Sequence, residues 1–106
     1  MKEIIYQKLV RDLIPEIIEQ NGQQCVCYEL DDVHYQIALD AKLNEELKEY
    51  QESKSLEELA DLLEVIHATA KALGSSFEEV DQIRKAKALK RGGFDKRIFL
   101  EKVIGD

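Results

Sequence analysis

Apolar residues recur along this chain at two periods, and the element changes where the period does. From residue 32 to about 52 they return every third or fourth position, with Leu39, Leu43, Leu47 and Tyr50 on one stripe, which predicts a long amphipathic helix. A second helical pattern covers residues 56–73, and Ser53, Lys54 and Ser55 form the turn between the two. A shorter helix is expected over residues 12–21, with Pro15 tolerated only in its opening turn and Gly22 ending it. Ser75 or Ser76 with Glu78 or Glu79 makes a capping box for a fourth helix that runs to about Lys90 and stops at Arg91, Gly92 and Gly93. The segment QCVCYEL (24–30) is short, β-branched and aromatic, as a strand should be, and RIFLEKVI (97–104) is expected to pair with it as a closing strand. The expected fold class is mainly all-α, a four-to-five-helix bundle with a small β appendage, in one domain spanning 1–106.

The polar positions are as telling. In the helix of residues 56–73 the strongly polar strip is only Glu57, Glu64 and Lys71, each seven apart, with His67 alongside. Nearly every other face is apolar, and so small a domain can hardly cover such a helix alone, so a dimer or larger assembly is expected. Glu58 and Asp61 lie away from the polar strip, near Leu62, Val65 and Ala68, and should point inward. Glu46 falls inside the apolar stripe of its own helix, while Glu49 lies at the edge beside Lys42.

These four acids form two steps, Glu46 to Glu49 (EELKE) and Glu58 to Asp61 (EELAD). Residues three apart are neighbours on one helix face. If the two helices are antiparallel about the Ser53–Ser55 turn, 49 stands across from 58 and 46 across from 61. Gathered carboxylates raise one another's pKa and oppose folding unless a cation joins them. An oxygen-only donor set suits Mg2+, or Mn2+, rather than zinc or copper, and magnesium commonly completes its shell with substrate phosphates. The alternative is a solvated helix face with ordinary capping, since Ser55 and Glu58 also fit a capping box; the protein would then be a non-catalytic helical association module.

Seven of the 15 basic residues fall between Arg84 and Arg97. Lys87 and Arg91, four apart on one face, suit a phosphate clamp, or else complement the negative end of the fourth helix. Glu64 and His67 make an ExxH step like those of di-iron bundles, but no second such step accompanies it. His34 reads as a surface histidine.

Composition narrows the partners. With 106 residues, 44% hydrophobic and 35% charged, the chain is that of a folded protein, and its net charge of -7 argues against binding nucleic acid polymers or anionic membranes. No apolar run approaches a membrane span, and MKEIIYQKLVRD is too short and charged for a signal peptide, so the expected location is cytoplasmic. Cys25 and Cys27 are too close in sequence for an unstrained disulfide and read as reduced thiols.

Taken together, the acidic steps in this order, the ELADLLEV run, the opening KLVRDLIPEI (8–17) and the late KALKRGGF (87–94) resemble the MazG-like all-α nucleoside triphosphate pyrophosphohydrolases. That superfamily includes phosphoribosyl-ATP pyrophosphohydrolases and dimeric dUTPases, and the compact phosphoribosyl-ATP pyrophosphohydrolase-like subgroup is the nearest in pattern. The resemblance implies hydrolysis of a nucleoside triphosphate, or a related nucleotide, to the monophosphate and pyrophosphate, with a house-cleaning role. It implies Mg2+ held by Glu46, Glu49, Glu58 and Asp61, with Glu46 or Glu49 as general base. It further implies that Lys8, Arg11, Lys87 and Arg91 contact phosphates and that Asp12 orients Arg11 or caps the first helix; the assembly expected from the apolar third helix is a homodimer or homotetramer, with the two not distinguished. Two positions depart from the pattern: Ala60 stands where many relatives have Gly, and Lys85 and Ala86 stand where several have Asp or Asn. The base and sugar are not specified.

Overall fold

The computed structural model describes residues 2–105, and among them every regular element is a helix: α1 Ile14–Gln20, α2 Asp32–Ser53, α3 Leu56–Ala72 and α4 Phe77–Arg91. Met1 and Asp106, the ends of the expected domain span, lie outside the described residues. The three long helices begin on side-chain caps. Asp31 accepts from the His34 N–H at 2.8 Å, Ser55 from the Glu58 N–H at 3.2 Å and Ser76 from the Glu79 N–H at 3.2 Å. Each cap stabilises its helix by about 1 kcal/mol. The His34 N–H, and then its ring, hold the Asp31 carboxyl below the usual carboxylate range.

α2 ends at Lys54, which takes the left-handed conformation (φ 56°) while its N–H reaches the Tyr50 carbonyl at 2.7 Å. A side chain in that region costs about 1 kcal/mol, and the Lys54 ammonium lies 5.3 Å from the centre of the Tyr50 ring. The chain reverses there, and the Ser55 N–H donates to the Ser53 hydroxyl at 3.2 Å. α2 and α3 therefore form a tight hairpin, which is the main packing of the molecule. Gly74, at φ 82°, turns the chain after α3, and α4 returns against α3 with the Phe77 and His67 rings stacked 3.8 Å apart. α1 packs on none of the other helices. It starts at Ile14 behind Leu13, with Pro15 in its first turn, two residues later than expected because Asp12 lies in the preceding turn.

The two expected strands do not form. Residues 24–30 and 97–104 carry no ladder, and Val26 and Phe99 are 97% and 92% exposed. Arg97 has φ 58°, outside the β region, at the start of the second segment. A lone two-stranded pair separated by the whole helical part would be marginal in water, so β-propensity has nothing to act on. Cys25 and Cys27 are both free thiols.

The apolar core is small: among the described residues only Leu39, Val65 and Ala70 are buried hydrophobics. The radius of gyration is 18.8 Å, against about 13 Å for a compact chain of this length. No helix among the described residues is long and apolar enough to cross a membrane.

Candidate metal centre

The hairpin sets the tail of α2 beside the head of α3, and that is where the acids meet. Glu46, Glu58 and Asp61 each offer a carboxylate oxygen, and these oxygens all lie within 4.8 Å of one another. Glu46 comes from the apolar stripe of α2 and is only 7% exposed. Glu58 and Asp61 come from the first turns of α3, where the Ser55 cap fixes the helix start and hence their direction.

Charge balance shows what the cluster needs. Lys42 reaches Glu45 at 2.8 Å and Glu46 at 3.3 Å, Lys8 reaches Glu45 at 2.9 Å, and Arg11 reaches Asp61 at 2.7 Å. Three cations thus pair with Glu45, Glu46 and Asp61, and none of these pairs reaches Glu49 or Glu58. Two oxygens, Glu46 Oε2 and Glu58 Oε2, are shielded from solvent and accept no hydrogen bond. An orphaned buried acceptor costs about 1–3 kcal/mol, more when charged. Burial pushes the Glu46 carboxyl above the usual range; Lys42 opposes this and the neighbouring Glu49 adds to it. Glu45 goes the other way, held down first by Lys42 and then by Lys8. The bond to Glu45 raises the Lys8 ammonium in turn.

Glu49 stands outside the group of three. It lies at the rim of α2, half-buried, and bears on the cluster through Glu46. Lys8 and Arg11 reach the acidic end, but onto carboxylates, Glu45 and Asp61. Asp12 neither caps α1 nor bonds Arg11, because the Arg11 guanidinium turns to Asp61 instead. Lys87 and Arg91 lie exposed on α4, which packs on α3 alone, and neither forms an ion pair with the acids among the described residues. Sequence reasoning missed Glu45, although its spacing from Lys42, three residues along a helix, was the signal. Glu64 is exposed and His67 is occupied by its stack on Phe77, so that pair joins no metal-capable group among the described residues.

The donor set fits a small hard cation. It is all oxygen, contributed by two helices, with two acceptors unused, and it contains no thiolate or imidazole.

No protein-family model and no solved structure matches this chain. It is similar to an uncharacterized protein of Mycolicibacterium smegmatis (strain ATCC 700084 / mc(2)155), 52% identical over 42 residues, which is 40% of this chain and 43% of that protein. The match therefore spans less than half of either.

Proposed function

We propose that this protein is a magnesium-dependent nucleotide pyrophosphohydrolase, converting a nucleoside triphosphate or related nucleotide to the monophosphate and pyrophosphate. One observation carries the reading: Glu46, Glu58 and Asp61 converge while an oxygen of Glu46 and one of Glu58 remain buried and unbonded. Those three residues would hold the ion, with Glu49 at the rim. When bound, magnesium supplies positive charge to the substrate phosphates and to the charge that develops in an in-line displacement.

The rest is the work of side chains. Glu46 or Glu49 takes the proton of the attacking water; that water's oxygen bonds the first phosphorus and pyrophosphate leaves with the electrons of the broken anhydride bond. Arg11 and Lys8, paired with Asp61 and Glu45 at the acidic end of the hairpin, would have to exchange those carboxylates for substrate phosphates, and Lys87 and Arg91 of α4 would supply further positive charge. The net charge of -7 favours a small nucleotide carried in with its cation over a nucleic acid polymer.

Pyrophosphate and orthophosphate release from ribo, deoxy and modified nucleoside triphosphates and from phosphoribosyl-ATP, each with and without magnesium, tests the reading. Pyrophosphate that appears only with magnesium and disappears in Glu58→Gln supports it. A folded protein that is silent on every substrate and whose melting temperature ignores magnesium sinks it. The second reading, an association module, is favoured by the exposed leucines of α3, and it predicts that magnesium changes nothing.

A further inference from the structure

Asp61 differs from the other two converging acids in what it already holds. Glu46 and Glu58 each keep a buried oxygen that accepts no hydrogen bond, whereas Asp61 accepts from the Arg11 guanidinium at 2.7 Å. That pair is open, with side chains 57% and 41% exposed. Lys42 is placed otherwise: it is 15% exposed and is held from two sides, by Glu45 at 2.8 Å and Glu46 at 3.3 Å. Arg11 also belongs to a segment with its own fastenings. Lys8 pairs with Glu45 at 2.9 Å, Leu9 is the one half-buried residue between 2 and 13, and the Arg11 carbonyl accepts from the Ile14 N–H at 3.0 Å in the turn that opens α1. The backbone therefore keeps its place when the Arg11 side chain turns away from Asp61.

We propose that Asp61 holds Arg11 and a divalent cation in alternation, so that loading the carboxylate cluster releases the Arg11 side chain and the N-terminal segment responds to the ion through this one residue. The inference rests on the metal reading above and adds to it a competition. Glu46 and Glu58 bring oxygens with no bond to give up, but Asp61 brings a carboxylate already in use. The converging oxygens lie within 4.8 Å of one another, so a double positive charge held among them acts on the guanidinium across a few ångströms and repels it. An exposed ion pair is weak enough to be exchanged. Lys42 stays, because it keeps Glu45 whatever Glu46 does. The consequence is an order of binding. A guanidinium engaged with Asp61 offers nothing to a phosphate; once released it stands beside the cluster, tethered by Lys8 and α1, with its planar fork free for an oxyanion. A nucleotide meeting the ion-free protein finds Arg11 engaged, and one meeting the loaded protein finds it ready.

Two measurements on the full chain test the exchange without recourse to activity: Mn2+ binding, read from the spin-resonance signal of the free ion, and the Arg11 side-chain N–H signal in nitrogen-edited NMR with Mg2+. Arg11→Ala should bind Mn2+ about two- to fivefold more tightly than wild type, the worth of an exposed ion pair. Lys8→Ala removes the same charge from Glu45, outside the converging three, and should change the affinity by less than about twofold. Mg2+ should move the wild-type Arg11 signal toward its position in Asp61→Asn, and should leave it in place in Glu58→Gln. These results together support the proposal, as does Mn2+ bound by Arg11→Ala alone. An Arg11 signal that stays put in Mg2+-loaded wild type overturns the exchange and leaves the metal centre standing; equal Mn2+ affinities in wild type and Arg11→Ala do the same. Equal gains in Arg11→Ala and Lys8→Ala also overturn it, because they report general charge rather than competition at Asp61. Mn2+ ignored by both wild type and Arg11→Ala overturns the exchange and the metal reading together.

Discussion

Helix α3 meets α2 with Glu58, Asp61 and Val65 and meets water with Leu56, Leu59 and Leu63. Its side toward α2 carries acids among apolar residues, and its open surface carries leucines beside the polar strip of Glu57, Glu64 and Lys71, unlike a surface helix that lies on a finished core. The two inversions have different remedies. Carboxylates under cover are relieved by a point charge of opposite sign, which acts through a few oxygens. Leucines in water are relieved only by area, which takes another extended surface. A single helix presents both needs at once.

Experiments that alter one face at a time sharpen or break this contrast. The largest effect is expected from Glu58→Gln, which should lower magnesium-dependent pyrophosphate release by about 10³-fold, roughly 4 kcal/mol of transition-state stabilisation, and leave helical circular dichroism unchanged. Loss of activity together with loss of helix would mean that the acid serves the fold rather than the cation. Next, Leu39→Ala, at a position 2% exposed, should cost about 3 kcal/mol in denaturant unfolding, while Leu59→Ala, at a position 43% exposed, should cost about 1 kcal/mol or less. Equal losses would place both leucines in one core. Glu46→Gln should behave in opposite directions with and without metal. In EDTA it removes a buried charge and raises stability by about 1 kcal/mol, whereas magnesium should no longer raise its melting temperature.

The smallest effect belongs to Asp81, where Arg84 at 2.7 Å and Lys85 at 3.4 Å hold the carboxyl below its ordinary range. Because its folded pKa is depressed, the stability this acid contributes is present above the unfolded value of about 3.9 and is lost as pH falls through the folded value. Wild type and Asp81→Asn should therefore differ slightly in melting temperature at neutral pH and converge in acid.

The parts legible in sequence were those governed by local chemistry. Ser55, Ser76, Gly22 and Gly74 mark helix ends through hydrogen bonds and backbone angles that act within a few residues, and α2 and α3 ended within a residue of expectation. The convergence of Glu46 with Asp61 was also legible, because the Ser53–Ser55 turn sets the register of the hairpin. The strands were not. Residues 24–30 and 97–104 have the composition of strands, but pairing them is a property of the whole chain rather than of either segment. The destinations of Lys8 and Arg11 were hidden for a similar reason: a segment without helix or strand has no period from which to read direction. Glu45 is legible only through Lys42, which stands three residues before it and four before Glu46 and pairs with both.

The ion pair between Arg11 and Asp61 joins the acidic end of the hairpin to the non-helical segment before α1, and Lys8 to Glu45 is its companion. Both pairs are partly open to solvent, so their strength depends on the ionic medium in a way that the buried contact of Lys42 with Glu46 does not. Added salt loosens the outer cations while the inner one stays, and the negative potential around Glu46, Glu58 and Asp61 shifts accordingly. Salt concentration thereby becomes a tuning variable of this centre, one that acts through the first dozen residues and not through the helices that bear the carboxylates.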